Sequence, residues 1–325
     1  MQKRFDLLKV AIGVAIAVLL LLTIYGAVRL WEAYQKADPN NVGASKTIVR
    51  DGVSYYPRQD ITVFLIMGID EFGPMTESTG FQNSGASDAV MLVIFDHKAE
   101  KMDVLSLNRD TMMDIPVLGV GGKPAGTYFG QLALAHTFGS GLEDSCENTK
   151  KAVSNFLYGL RIDYYMALNM NAIGILNDAV GGVEVTVTDD FSLVDPSIPM
   201  GTVRLSGQQA LSFIRQRKDM PSQLNLSRME RQNHYMEQFA HAFQDSVQNS
   251  QTFITDTYEQ ITPYLVSDCS INTISSAMSR FSDYTFGKVI TLKGENRQGE
   301  RYMEFYVEEQ NLDDTVLQLF YAPKA

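Results

Sequence analysis

The sequence predicts an α/β fold of the α+β sandwich type, in which helices flank a central mixed β-sheet. Apolar runs bounded by turn residues alternate along the chain with segments that carry helix-capping patterns. The most apolar of these runs, Ile61–Ile69, is expected to form a buried central strand that ends at Asp70. With 325 residues, of which 45% are hydrophobic and 20% charged, the chain is long and apolar enough for such a core.

The N-terminus carries a candidate membrane anchor. Val10 to Val28 is an uncharged, mostly aliphatic run, and as a helix it would extend about 28 Å, enough to cross a bilayer. Basic residues precede this run, so the positive-inside rule places the N-terminus in the cytoplasm. We expect a cytoplasmic tail over residues 1–9, a single-pass anchor over residues 10–31 and an extracellular domain at the cell membrane. A cleaved signal peptide is the alternative, but the run is long for one and no small-x-small site follows it.

The remaining chain divides into a polar linker over residues 32–60, a core region over residues 61–245, and C-terminal helices and strands over residues 246–325. The net charge of −11 argues against a nucleic-acid partner, since no basic stripe offsets it. Cys146 and Cys269 both fall in the external part. A single disulfide and two buried free thiols are both consistent with this number of cysteines.

Two predicted strands that follow the central strand define a hairpin. Ala89 to Phe95 and Met102 to Leu107 are joined by a short polar turn, and pairing about that turn sets Asp88 opposite Arg109. Both side chains would then meet at the open end of the hairpin, near Asp70 at the end of the neighbouring strand. This end of the sheet is a candidate site. The alternative is a simple salt bridge that closes the hairpin.

Other elements follow from capping and turn residues. The expected elements are a loop at Gly119–Gly130, a helix from Asp144 to Gly159 with a capping box to Glu147, a strand at Ile162–Leu168, a helix at Asn171–Val180, a strand at Val183–Val187, a helix capped by Ser206 and Gln209, more helix from about Asp245 to Arg280, strands at Lys288–Lys293 and Arg301–Val307, and a helix from Asp313.

Ser212 to Gln232 is the most basic stretch of the chain. Its arginines are Arg215, Arg217, Arg228 and Arg231. Guanidinium groups so close together in an acidic protein favour an anion such as phosphate, although a solvated basic turn would have the same composition. Ser227 and Glu230 form a capping box that predicts a helix start, from which the last two arginines and Gln232 share one face.

Seven segments, taken together, resemble the LytR-CpsA-Psr family of membrane-anchored cell-envelope proteins. In chain order they are FLIMGID, SDAVMLVIF, VLSLNRDTMMDIP, RIDYYMALNM, NDAVGGVEVTV, LSGQQALSFIRQR and SRMERQ. The resemblance implies a phosphotransferase that moves a glycopolymer from an undecaprenyl-pyrophosphate carrier to peptidoglycan through a phosphodiester link. It also implies Mg²⁺ or Mn²⁺ as cofactor, and the membrane, the lipid-linked glycan and peptidoglycan as partners.

The same resemblance assigns roles by position, and Asp70 and Asp88 match the metal-associated aspartates. The candidate catalytic residues are Asp88 and Arg109, with Asp88 as candidate acceptor of the proton from the acceptor hydroxyl. The pyrophosphate-binding positions are Arg109, Arg215, Arg217, Arg228 and Gln232. The departures from the family pattern are Ala86, Gln131, Ala133, Leu224 and Asn225. They leave open a lipid-pyrophosphate hydrolase and a non-catalytic polyprenyl-phosphate-binding regulator or scaffold.

Overall fold

The computed structural model describes residues 47–79, 82–119, 122–215, 225–281 and 283–323. Within these ranges no helix is long and apolar enough to span a bilayer. The predicted anchor at residues 10–31 lies outside them. All of the described residues belong to one compact unit.

The strands of the described ranges are β1 (Ile48–Arg50), β2 (Val53–Pro57), β3 (Ile61–Ile69), β4 (Ser87–Asp96), β5 (Lys101–Leu107), β6 (Met112–Leu118), β7 (Pro124–Gln131), β8 (Tyr164–Asn169), β9 (Val183–Val187), β10 (Gly201–Leu205), β11 (Leu265–Ser267), β12 (Thr285–Thr291), β13 (Gly294–Gln298), β14 (Met303–Val307) and β15 (Tyr321–Pro323). The helices are α1 (Glu143–Phe156), α2 (Met170–Ala179), α3 (Gly207–Arg215), α4 (Asn225–Asn249), α5 (Phe253–Ile261), α6 (Ile271–Phe281) and α7 (Glu309–Phe320), with short 3-10 helices at Leu132–Thr137 and Thr262–Tyr264.

The central sheet is mixed, as the sequence predicts. Its strand order is β11-β8-β3-β4-β5-β12, and β3 pairs parallel with β8 and antiparallel with β4. The strand β3 has the predicted bounds. The strand β4 is longer than predicted at both ends, and β5 begins one residue earlier than predicted. Pairing of β4 with β5 matches Asp96 with Lys101 and Val90 with Leu107, which is the predicted hairpin register.

The two faces of the sheet bury different layers. Alternate residues of β3, β4 and β5, among them Leu65, Leu92 and Leu105, pack against β6, α1 and α7 in the main core. The other face carries Phe64 and Phe95 and turns toward α5 and α6. The central sheet is therefore covered on both sides, which explains why β3 is apolar along almost its whole length.

The predicted loop at Gly119–Gly130 is wrong over most of its length, because Pro124–Gln131 is the strand β7 and pairs antiparallel with β6. Glycine content favours a loop in sequence, but here it has a packing role. A Cβ on Gly130 would lie 2.2 Å from the Tyr128 ring, so only glycine leaves space for that ring.

Two predicted helix starts are also wrong. The helix α1 begins at Glu143, and the Asp144 carboxylate accepts from Ser140 N and Ser145 N instead of forming the capping box with Glu147. The helix α4 begins at Asn225, so Ser227 lies inside it. The capping box of Ser206 and Gln209 is confirmed, since Ser206 N donates to Gln209 Oε1 at 2.9 Å.

The tail and the predicted linker contain more strands than expected. The helical segment predicted from about Asp245 to Arg280 contains the short strand β11 between helices, and β13 was not predicted. The described part of the linker forms β1 and β2, which pair with β15 near the C-terminus. Cys146 and Cys269 are both buried and free, and they lie in separate core clusters.

Candidate active site

The site lies where β3 and β5 end and β4 begins. Asp70 follows β3, and its N–H donates to Ala86 O at 3.0 Å, which fixes the end of β3 beside the start of β4. The register of β4 and β5 places Asp88 opposite Arg109, two residues beyond the last pair, Val90 with Leu107. Asp70, Asp88 and Arg109 thus lie at one end of three adjacent strands, as the sequence predicts.

Arg109 Nη1 forms an ion pair with Asp88 Oδ1, which confirms the predicted contact. The two side chains are 15% and 13% exposed, so the pair is shielded from most of the solvent. Arg109 Nε lies 3.4 Å from Asp110 Oδ1, yet it is buried and makes no hydrogen bond within the described residues. Carboxylates of Asp88 and Asp110 therefore both lie beside the Arg109 guanidinium and hold it at the open end of the hairpin.

Gln131 supports this pair from the side. Its Nε2 donates to Asp110 Oδ1 at 3.0 Å and to Met303 O at 2.8 Å. The amide therefore connects the segment that carries Arg109 to the β13–β14 hairpin. Gln131 is one of the departures from the family pattern, and here its neutral side chain has a structural function.

The second ion pair joins Arg215 Nη2 to Asp70 Oδ1 at 2.8 Å. It is open to solvent, with side-chain exposures of 41% for Arg215 and 38% for Asp70. The Arg215 guanidinium also lies 5.1 Å from the centre of the exposed Phe72 ring. The end of α3 thus places a second arginine at the end of β3, where it is accessible to a ligand.

Arg231 does not belong to this group. It is 7% exposed, and its Nε and Nη1 donate to Phe213 O at 3.1 Å and to Asp189 Oδ2 at 2.8 Å. The sequence grouped Arg231 with the anion-binding arginines because helix periodicity gives it the same face as Gln232. That interpretation is wrong, since the guanidinium ties α4 to α3 and to the chain beyond β9.

The remaining predicted positions are described in part. Gln232 Nε2 donates to Ile214 O at 3.2 Å, next to Arg215. Arg217 and the side chain of Arg228 lie outside the described residues.

His136 and Asn83 support the chain that leads into β4, and sequence analysis did not identify either. His136 is 1% exposed, and its Nδ1 lies 2.8 Å from Gly85 O. Asn83 Nδ2 donates to His136 O at 2.8 Å and to Ser145 Oγ at 3.1 Å. Burial lowers the pKa of the His136 imidazole, which favours its neutral form. The available sequence signal was weak: an asparagine in a polar loop and a histidine in an apolar segment.

A cavity of about 330 Å³ lies between the sheet and α4 and α5. Its lining is almost entirely apolar and comes from the β3 and β4 side chains opposite the main core, from α2 and from α4 to α6. Met236, Phe239 and Phe243 of α4 all line it. Gln232 and Ile214 line it as well, so the cavity reaches the residue before Arg215.

The carboxylates offer a limited set of metal ligands. No group of three or more His, Cys, Asp or Glu side chains that could hold a metal occurs within the described residues. Asp70 and Asp88 are each paired with an arginine. Because Mg²⁺ commonly binds through one or two carboxylates together with substrate phosphates, these two aspartates fit a cation that arrives with a phosphate ligand.

The fold and the site together define a class of protein: a mixed-sheet α/β protein in which two aspartate–arginine pairs at one sheet end lie beside an apolar cavity. The chain belongs to the LytR_cpsA_psr family, whose family model matches residues 26–320. The resemblance seen in the seven segments is therefore confirmed.

Relatives with established names include the polyisoprenyl-teichoic acid–peptidoglycan teichoic acid transferase TagU of Enterococcus faecalis. It is 27% identical over 322 residues, which cover 98% of this chain and 95% of that protein. TagU of Bacillus mycoides is 30% identical over 184 residues, covering 57% of this chain and 50% of that protein.

Solved structures share the fold. TagT bound to LIIa-WTA superposes with a TM-score of 0.61 at 23% identity, covering 80% of this chain and 90% of that one. TagV of B. subtilis superposes with a TM-score of 0.62 at 22% identity, covering 81% of this chain and 96% of that one.

Proposed function

We propose that this protein is a phosphotransferase that moves a glycopolymer from an undecaprenyl-pyrophosphate carrier to peptidoglycan and leaves the polymer attached through a phosphodiester. The observation that carries the proposal is the pair of aspartate–arginine contacts at one end of the sheet, next to an apolar cavity. The names of the TagU relatives support the same reaction class. The reaction would take place outside a single-pass membrane anchor whose N-terminus is cytoplasmic.

The cavity fits the lipid part of such a donor. Burial of apolar surface stabilises a bound polyprenyl chain by about 25 cal/mol per Å², and this cavity is lined by apolar side chains on every element that borders it. Gln232 and Ile214 line it where α3 ends, beside Arg215. A chain in the cavity would therefore bring its pyrophosphate to the arginine end of the sheet.

The reaction requires one bond to form and one to break. The acceptor hydroxyl oxygen bonds to the phosphorus that carries the glycan, and the bond from that phosphorus to the bridging oxygen breaks. The polyprenyl phosphate leaves with the electron pair. Phosphoryl transfer of this kind depends mainly on positioning and charge neutralisation, for which arginines are well suited.

Arg109 would have two partners during the cycle. In the structure it pairs with Asp88, and a bound pyrophosphate would compete for the same guanidinium. Its movement to the phosphate would free the Asp88 carboxylate to accept the proton of the acceptor hydroxyl. Arg215 would exchange Asp70 for phosphate oxygens in the same way. Mg²⁺ or Mn²⁺ held by Asp70 and Asp88 would supply further charge neutralisation on the pyrophosphate.

The test uses the full chain in detergent with a lipid-pyrophosphate oligosaccharide, Mg²⁺ and peptidoglycan oligomers, followed by mass spectrometry. We expect a glycan-phosphate-peptidoglycan conjugate that is lost with EDTA and in Asp88→Asn. Asp114→Asn, which changes an exposed aspartate on β6, is the matched control and should retain turnover. Conjugate formation by Asp88→Asn at the wild-type rate would contradict the site, and lipid phosphate released without conjugate would indicate a hydrolase.

A further inference from the structure

We propose that Phe72, an exposed aromatic residue in the loop after β3, stacks against the sugar that carries the pyrophosphate of the lipid donor and so favours glycosylated lipids over lipid pyrophosphate alone. This inference rests on the proposed transferase function. It assigns a specificity-determining residue to the glycan side of the donor, whereas the apolar cavity takes the lipid side.

Phe72 contacts an arginine that the proposed function assigns to the pyrophosphate. The Arg215 guanidinium carbon lies 5.1 Å from the centre of the Phe72 ring, and Arg215 Nη2 lies 2.8 Å from Asp70 Oδ1. A guanidinium over an aromatic ring is attracted to the negative face of that ring, so the two side chains help to orient each other. A phosphate group that binds Arg215 would therefore lie close to the Phe72 ring.

The backbone on both sides of Phe72 is fixed to the start of α2. Met170 N donates to Glu71 O at 3.1 Å, and Gly73 N donates to Asn171 Oδ1 at 2.9 Å. Phe72 is nevertheless 60% exposed, so its ring keeps open surface beside Arg215. A ring whose backbone is already ordered loses little conformational entropy when a ligand packs on it, which favours binding.

Phe72 is placed for the glycan end of the donor and not for its lipid end. Ile214 lines the apolar cavity, whereas the next residue, Arg215, reaches Asp70 and Phe72 at the end of β3. Phe72 itself does not line the cavity. A donor with its polyprenyl chain in the cavity and its pyrophosphate at Arg215 would therefore bring its first sugar to the side where Phe72 is exposed.

The chemistry around Phe72 favours a sugar over an anionic membrane surface. A pyranose ring presents C–H groups that can pack on an aromatic face, and its hydroxyls bind polar groups. Residues 70–88 contain four acidic side chains and no lysine or arginine. One of these acids, Glu71, accepts from the Ser84 hydroxyl at 2.6 Å, so a hydroxyl-binding carboxylate is the sequence neighbour of Phe72. Acidic lipid headgroups would be repelled by such a loop, because membrane surfaces of this kind attract basic segments.

The test measures the binding of two lipids to the full chain in detergent by isothermal titration calorimetry. One is a polyprenyl pyrophosphate that carries a disaccharide, and the other is the same polyprenyl pyrophosphate without sugar. We expect Phe72→Ala to weaken binding of the glycosylated lipid about threefold to tenfold, as for the loss of one aromatic contact, and to leave binding of the sugar-free lipid within about twofold of wild type.

Two further variants serve as controls. Phe72→Tyr keeps the ring and should bind both lipids nearly as well as wild type. Tyr56→Ala removes an exposed aromatic side chain from β2 and should also bind both lipids as wild type.

The sugar-free lipid separates a sugar contact from an effect on Arg215. If Phe72 only holds Arg215 in place, Phe72→Ala should weaken binding of both lipids by the same factor, and that result would overturn the proposal. If Phe72 only touches the membrane, both affinities in detergent should stay unchanged, which would overturn it as well. If the wild-type chain binds the glycosylated lipid but forms no conjugate, the proposed function fails, and the difference between the two lipids still decides the role of Phe72.

Discussion

Two arginines from one basic stretch are expected to respond in opposite ways to the same substitution. Arg231→Met removes a donor from Phe213 O and a charge-assisted donor from Asp189. Both bonds have a charged guanidinium donor, and a hydrogen bond that involves a charged group is worth about 1.5–3 kcal/mol. Since Asp189 remains 22% exposed and water can reach its carboxylate, we expect a loss of about 3 kcal/mol in the free energy of unfolding.

Arg215→Met should leave the fold intact. The Arg215–Asp70 pair is exposed, and pairs of this kind contribute about 0–1 kcal/mol to stability. We expect this variant to lose transferase activity instead, because Arg215 is the accessible cation at the end of β3. Arg204→Met, which removes an exposed pair with Glu184 and a hydrogen bond to Gly182 O, is the control: it should leave activity unchanged and lower the free energy of unfolding by no more than about 1 kcal/mol.

Urea denaturation and the conjugate assay on the same preparations measure both effects. A double-mutant cycle with Asp189→Asn should show that the Arg231 and Asp189 substitutions are not additive. If Arg231→Met unfolds within about 1 kcal/mol of wild type yet loses activity, its assignment as a structural residue is refuted. Arg231 would then belong to the anion site, as the sequence pattern first indicated.

Three further predictions concern other parts of the molecule. Burial lowers the pKa of His136, so below about pH 6.5 the unfolded chain binds a proton that the folded chain excludes. The free energy of unfolding should therefore fall as the pH drops below about 6.5. When urea midpoints are plotted against pH, His136→Asn should show a smaller fall in this range. Ala240→Trp places a large side chain in the cavity and should weaken the binding of polyprenyl pyrophosphate. Ala242→Trp lies on the same helix but outside the cavity lining and should bind as wild type. Equal binding by the two variants would contradict the lipid site. Burial raises the thiol pKa of Cys146 and raises that of Cys269 to about 11, so neither should react with iodoacetamide at pH 8 until the chain is unfolded; rapid native labelling of Cys146 would contradict the described core.

The central strands could be predicted because the sequence patterns that define them lie within the strands and the turns beside them. An apolar run bounded by turn residues defined β3, and a short polar turn fixed the register that pairs Asp88 with Arg109. The register of one hairpin follows from counting residues on either side of its turn, so it could be predicted without the rest of the fold.

Features that depend on distant partners could not be predicted. The strand β7 was predicted to be a loop because its segment is rich in glycine, and its pairing with β6, which sets Met112 opposite Gln131, was not recognised. Helix periodicity placed Arg231 on a face, but only the tertiary fold brings Asp189 to it from 42 residues away. The contact of His136 with Gly85 is equally non-local.

The central claim is transfer of a glycan phosphate from the lipid carrier to a peptidoglycan hydroxyl. The most direct measurement runs the wild-type reaction in heavy-oxygen water and weighs every phosphate-containing product by mass spectrometry. We predict a glycan-phosphate-peptidoglycan conjugate and a polyprenyl phosphate, both without heavy oxygen, since the attacking oxygen comes from the sugar. A glycan phosphate or polyprenyl phosphate that carries heavy oxygen, with no conjugate, would contradict the claim and show that water is the acceptor.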